Sequence, residues 1–405
     1  MAPLAPFVAL SVALFGLAQA ASVARPLSIT ATGNSPTRPN GYIVALKPSS
    51  VARRSLRALH SNILQSFTDA QVHYEWPVLN AFAGTFTDAA LQALRTSDDV
   101  LSIEHDTIGD LDELVTQEDA PWGLQRISHV TKLARTDDTA RNFTYTYDTS
   151  AGEGVDIYVI DTGVMINHTD FGGRARWGTT FGGYKDEDGY GHGTHVAGTA
   201  AGTRWGVAKA ANIVAVRTVG DNGNGLVSDT IAAVNWAIEQ VTTVTNAPSV
   251  ITMSLRFDPS DVLDAAVTAA IDAGIHVTVS AGNAARDASS QSPARAPAVT
   301  CVGATGINDT IAYFSNVGPL VDIFSPGLNV VSDYPFSTDL TTVMSGTSMS
   351  TPHVAGLTAY LVALEGNKSP AEVLARIKEL GPDNLISGIP ADTVNDLLNN
   401  GDGLD

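Results

Sequence analysis

The 405 residues contain one cysteine, Cys301, so no disulfide forms within the chain and stability must come from a packed core. Cationic side chains are also scarce: 23 Lys and Arg face 42 Asp and Glu, a net charge of −19. That balance excludes nucleic acid and anionic membrane surfaces as natural partners. After the first twenty residues no apolar run is long enough to cross a bilayer, and there are no internal repeats or low-complexity tracts. Charged residues make up only 16% and hydrophobic ones 44%, a composition for burial rather than disorder. Cys301 itself lies in the strand-like run "AVTCVGAT", where a small buried hydrophobe is expected.

The N-terminal "MAPLAPFVALSVALFGLAQA" is an apolar stretch ending in a small-x-small site, which predicts a signal peptide over 1–20 and export of a soluble protein. Four N-x-S/T sequons, at Asn142, Asn167, Asn308 and Asn367, are compatible with a secreted glycoprotein. Residues 21–40 read as a loose leader. From 42 to 106 the strand-like "YIVALK" and "VLSIEHD" flank two helical patterns, "SLRALHSNILQSF" (55–67) and "DAALQAL", predicting a small α+β module. The acidic "TIGDLDELVTQEDA" (107–120) reads as an exposed, cleavable linker. The expected divisions are therefore 1–20, 21–112 and 113–405.

Beyond residue 121 continuous Val/Ile runs, "VDIYVI", "NIVAVRTV", "VITMSL" and "HVTVSAG", alternate with helical segments such as "DTIAAVNWAIEQV" and "DVLDAAVTAAIDAG". Such runs predict a parallel sheet covered on both faces. In open parallel sheets chemistry gathers at the carboxyl ends of the strands. Asp161 follows "VDIYVI" directly, and Asn283 ends "HVTVSAGN"; either could instead form a turn or cap. His192 lies between two glycines in "DGYGHGTHVAGTAAG", with His195 three residues on. Zinc hydrolases of the H-E-x-x-H type need histidines four apart with a glutamate between, so zinc is not expected, and His195 and His353 read as buried core histidines. Ser348 stands in "SGTSMSTPHVAG", ahead of an apolar helix whose first turn is expected to take Pro352. Alone it could be a helix cap. Together the four residues suggest Ser348 as nucleophile, His192 as general base and then acid, and Asp161 as the group fixing the imidazole's tautomer.

The segments "DTGV", "GHGTHVAGT", "SAGN" and "SGTSMSTPHVAG" resemble the signatures of subtilisin-like serine proteases, which share the chain order Asp, His, Ser. "APWGLQRIS", "GVAKAANIVAV" and "DNGNGLVSDTI" resemble the secreted fungal proteinase K branch, over about residues 120–395. The resemblance implies an α/β fold with a doubly wound, mostly parallel sheet, preceded by a small α+β ferredoxin-like propeptide over about 42–106. It makes Asp161, His192 and Ser348 the triad, with Asn283 and the Ser348 N–H as oxyanion donors. Substrate would pair between Asn224, Gly225, Leu226 and Ser254, Leu255, Arg256, while Ala281 and Gly282 border an open pocket preferring an apolar or aromatic residue before the cut. Carbonyls of Pro297 and Val299 with the Asp322 carboxylate would bind a structural Ca²⁺, and no organic cofactor is implied. The implied partners are protein and peptide substrates and the chain's own propeptide as inhibitor, for a secreted monomer.

Three departures from the family pattern stand out. Val196 replaces the cysteine usual after H-G-T-H in that branch, "GPDNLISGIP" offers no second calcium site, and Arg256 follows Ser254-Leu255 where the family usually has glycine. Two other functions fit the residues less well. A catalytically silent binding protein of the same fold is disfavoured by the intact triad positions. An α/β-hydrolase esterase needs G-x-S-x-G, but Ser350 stands at its second glycine and His192 precedes the serine.

Overall fold

The computed structural model describes residues 27–30, 37–47, 67, 70–108 and 114–402. The expected signal segment and nearly all of the helix expected over 55–67 lie outside these residues. The chain divides into two compact units, Met1–Leu111 and Asp112–Asp405.

In the first unit, strands β1 (Ile29–Thr30), β2 (Thr37–Leu46), β3 (Gln71–Trp76), β4 (Ala81–Thr85) and β5 (Val100–Thr107) form a sheet in the order β1-β5-β2-β4-β3. Helix α1 (Asp88–Arg95) starts at Thr87, whose hydroxyl accepts from Ala90 N, and turns Ala90, Leu91 and Leu94 inward. They pack with Val44, Phe82, Phe86 and Ile103 into the unit's own core. This is the expected small α+β module.

The second unit begins differently from expectation. Leu114–Ala120, read from sequence as part of a linker, is strand β6, paired antiparallel with β7 (Phe143–Asp148). Its acidic residues misled because the pair has one wet face: exposed Leu114, Thr116 and Glu118 alternate with half-buried Val115 and Gln117, and Ala120 ends fully buried. Short helix α2 (Trp122–Ile127) follows.

The main sheet contains β8 (Asp156–Asp161), β9 (Ala175–Thr180), β10 (Asn212–Arg217), β11 (Ser249–Met253), β12 (His276–Ser280), β13 (Thr300–Thr305) and β14 (Ile323–Pro326). Its order is β14-β13-β12-β11-β8-β10-β9, and every pairing is parallel. β8 is buried on both faces: Ile157 and Val159 enter one core layer, Tyr158 and Ile160 the other. Burying each such side chain contributes about 1.5–3 kcal/mol. On the first layer lie helices α3 (His192–Ala201) and α6 (Thr347–Glu365), on the second α4 (Val227–Glu239) and α5 (Asp261–Asp272). Small residues let α3 and α6 meet closely, since a Cβ on Gly356 would stand 2.6 Å from the Ala200 carbonyl. A hairpin of β15 (Val330–Asp333) and β16 (Thr341–Met344) precedes α6. Helix α7 (Pro370–Leu380) opens with a Ser369/Glu372 capping box, a signal also present in the sequence.

The chain leaves β8 toward β9 and β10 on one side and later returns to β11 on the other. The strand order therefore reverses at β8, and a crevice opens at its carboxyl end. Asp161 is the residue at that point.

Candidate active site

A cavity of about 480 Å³ lies there, lined by Asp161, His192, Asn283 and Ser348 among others. Asp161 is fully buried, and its two carboxylate oxygens lie 2.8 and 2.9 Å from His192 Nδ1. Thr162 N also donates to Oδ1, at 2.7 Å. Accepting at Nδ1 is closed to a ring facing a carboxylate, so Nδ1 carries the proton and Nε2 is free to accept. Burial pulls the His192 pKa down, but the charge and hydrogen bond of Asp161, with the more distant charge of Asp188, outweigh it and leave the pKa raised.

His192 is the first residue of α3, and sequence reasoning missed what seats it. The buried Asp188 carboxylate accepts from Gly191 N at 2.7 Å, Tyr190 N at 3.1 Å and Thr194 N at 2.9 Å. It also accepts from the Thr162 hydroxyl at 2.8 Å, which ties the helix start to the end of β8. An acid facing free N–H groups at a helix N-terminus is the signal that could have revealed it. Burial raises the Asp188 pKa against these hydrogen bonds.

Ser348 is the second residue of α6. Pro352 stands at the sixth position, one turn later than the sequence suggested. Lacking an N–H, it leaves the Ser348 carbonyl without its helical donor, and Ser254 Oγ takes that place at 2.8 Å. Ser348 Oγ in turn lies 3.4 Å from the Ser254 carbonyl, the long limit of a hydrogen bond. A hydroxyl so weakly engaged is available to a base, and such contacts tighten only with substrate bound.

Asn283 has a fixed amide. Its Oδ1 accepts from Thr347 N and Thr347 Oγ1, both at 2.8 Å, leaving Nδ2 as the open end. A Cβ placed on Gly346 would stand 3.3 Å from Asn283 Nδ2 and 3.5 Å from Ser348 N. The two donors thus face one small space beside the serine, a geometry that suits a developing oxyanion. Thr347, buried and 64 residues away in sequence, was not legible as the clamp.

Of the other expected residues, Asn224, Gly225, Ser254, Leu255, Arg256 and Gly282 line the cavity. Leu226 and Ala281 do not. Leu226 is exposed at the N-terminal end of α4 on a neighbouring surface hollow, and Ala281 is fully buried with its carbonyl bonded to Gln291 and Asn316. The backbone turns after β12 so that Gly282, rather than Ala281, faces the cleft. His195 and His353 are buried core histidines, with burial lowering their pKa values to about 3 and about 4.

The calcium expectation meets a different occupant. Asp322 Oδ1 accepts from Lys378 Nζ at 3.0 Å and Oδ2 accepts from Cys301 N at 3.0 Å. Binding of Ca²⁺ by the Pro297 and Val299 carbonyls with Asp322 would require the ion to displace the Lys378 ammonium.

Against known proteins, the subtilase family profile matches residues 152–387 and the peptidase inhibitor I9 profile residues 41–112. The subtilase-type proteinase isp6 of Schizosaccharomyces pombe, so named as putative, is 45% identical over 79% of this chain and 68% of its own. The subtilisin-like serine protease Cur l 4.0101 of Cochliobolus lunatus is 41% identical over 87% of this chain and 74% of its own. The crystal structure of a cold-adapted subtilisin-like serine proteinase matches with TM-score 0.63 at 38% identity, covering 70% of this chain and 98% of that one.

Two outcomes follow from the site. NMR titration of the His192 ring is expected to give a midpoint above 6.5, and Asp161→Asn to lower it; equal midpoints would refute the electrostatic coupling. Comparing the melting temperature in calcium and in chelator decides between Lys378 and an ion as the partner of Asp322, with equal values expected if the lysine holds the site. A fall in chelator that Asp322→Ala abolishes would show that the ion displaces the lysine.

Proposed function

The chain belongs to the subtilase family and is a serine endopeptidase carrying an I9 inhibitor domain, and from that premise we propose how its own residues act. Asp161, His192 and Ser348 form the triad. The supporting observation is the His192 ring held by both oxygens of a buried carboxylate, next to a space flanked by two free N–H donors.

Substrate enters as an extended strand between 224–225 and 254–256, so that backbone pairing gives broad reach. His192 Nε2 takes the Ser348 proton as Oγ attacks the scissile carbonyl. The new oxyanion receives Asn283 Nδ2–H and Ser348 N–H, both already oriented, so little reorganisation is needed as charge develops. The same imidazolium, stabilised by Asp161, hands its proton to the leaving amine. Water then repeats the sequence on the acyl-enzyme. Because the base must be neutral, the raised His192 pKa places the acid limb of kcat/KM above that of free imidazole. Gly282 borders the pocket for the residue before the cut, where the family resemblance implies an apolar or aromatic side chain.

The I9 unit acts as inhibitor until cleavage in the stretch that follows it, near residues 112–113, and the protein is exported. Among the described residues no helix is long and apolar enough to cross a membrane. Parallel pairings between distant strands fold slowly, which gives the first unit a role as folding template.

Two experiments test this reading. Ser348→Ala is expected to accumulate as full-length precursor in a protease-free host and to resist labelling by a sulfonyl fluoride that modifies the wild type. Normal processing of the variant would remove self-cleavage, and an unlabelled wild type would point to a silent binding protein instead. Gly346→Ala keeps an extended backbone that any residue adopts, but its methyl fills the space between the donors. It is expected to lower kcat by on the order of 100-fold with KM and melting temperature little changed; an equal loss through KM alone would contradict the oxyanion assignment.

A further inference from the structure

Arg256 departs from the glycine expected at its position, and its surroundings give it a use. The side chain is exposed and lines the same cavity as Ser348 and His192. Among the described residues lining that cavity it is the one permanent cation, while Asp161 and Asp258 are acidic. Arg256 makes no ion pair among the described residues. Asp261, a partner within easy reach in sequence, is bound instead by Arg295, which also holds Asp264 at 2.6 Å. Asp258 lies on the cavity wall without closing on Arg256.

The backbone fixes where this guanidinium meets a substrate. Phe257 exchanges both backbone hydrogen bonds with Ser292, at 2.8 and 3.1 Å, so the segment is anchored just past Arg256. Ser254 faces the cleft, its carbonyl 3.4 Å from Ser348 Oγ. In extended chain alternate residues face the same way, so the backbone edge of Arg256 faces the cleft as well. The residue whose carbonyl Ser348 attacks must lie opposite Ser254. On a substrate strand running antiparallel, the residue two earlier lies opposite Arg256, with side chains close enough to interact. Arginine's planar fork suits a carboxylate, and its stem is long enough to follow one.

We propose that Arg256 selects substrates bearing an acidic side chain at the third residue before the scissile bond. The inference rests on the peptidase reading above and adds a substrate class to it. Arg256 also offsets the repulsion that a chain of net charge −19 would impose on an acidic peptide in its cleft.

The test compares mature wild type with Arg256→Gln on matched peptides carrying Glu or Gln at that third position, with a further peptide bearing Glu at the second. The wild-type Glu/Gln ratio of kcat/KM is expected to exceed the variant's by about 2- to 5-fold at low salt, the scale of a solvent-exposed ion pair. It is expected to approach the variant's ratio in about 0.5 M salt. Equal ratios in the two proteins at low salt, or a wild-type preference for Glu at the second position instead, would overturn the proposal. Failure of the wild type to cleave even the Gln peptide would instead defeat the underlying peptidase reading, and this inference with it.

Discussion

The second unit is organised around one buried charge. Asp161 ends a strand that is apolar on both faces, at the point where the sheet's order reverses, and it is fully buried. An ionised carboxylate in such a place is tolerated only if it is paired and hydrogen-bonded. His192 provides the pairing, and the start of α3 is held against β8 by Thr162 and Asp188 to keep the ring there. The backbone takes part too: Thr218 N and Val219 N both donate to the Asp161 carbonyl, which draws the exit of β10 onto the same point. The requirement to satisfy one carboxylate thus positions the base, and one wall of the cleft with it.

Ser348 is placed by a different compromise. Within a helix, Pro352 removes a backbone hydrogen bond, usually at a cost of about 3 kcal/mol. Here the freed carbonyl is that of Ser348, and Ser254 supplies the missing donor from another strand's end. The substitution turns a local defect into a tie between the serine and the segment that pairs with substrate. Thr347 makes the second tie, to Asn283 and to Gly282 N. Two separate chain segments are thereby fixed to the first turn of one helix, whose close packing against α3 also couples it to His192.

Legibility from sequence followed physical locality. Strands β8, β10, β11 and β12 were readable because burial on both faces writes continuous Val/Ile runs, and α7 because its capping box is a four-residue signal. That Asp161, His192 and Ser348 would meet at one cleft was readable because each falls at an element end within a distinctive short segment. What failed was nonlocal or half-exposed. Strand β6 has one solvated face and an acidic composition, so its pairing with β7 was hidden. The β15–β16 hairpin is short, with β16 half-exposed, and gives no clear alternation signal. Lys378, 56 residues later, reaches Asp322, and nothing local shows that contact. Gly225 and Gly282, rather than their neighbours Leu226 and Ala281, line the cavity, since a turn decides which residue faces it.

A peptidase has a particular reason to tie down its own ends. Proteolysis acts on locally opened backbone, so frayed termini are where such a protein would be lost to its own activity. With a single cysteine this chain uses buried polar contacts where a disulfide would otherwise serve. Near its start, α2 is held by Arg126, whose fully buried guanidinium binds Asp309 at 2.7 and 3.3 Å. Removing one partner of such a pair typically costs about 3–5 kcal/mol. Near its end, Asn400 N donates to the Ile127 carbonyl at 2.7 Å and Asn400 Nδ2 to the Thr146 carbonyl at 2.9 Å, while Leu398 N bonds Phe324. The last residues are thus bonded to α2 and β7, among the first elements of the unit, and the sheet edge β14 lies beneath them. Opening either end requires breaking contacts that belong to the other. Opening at residues 398–400 is thereby coupled to opening at α2, β7 and β14.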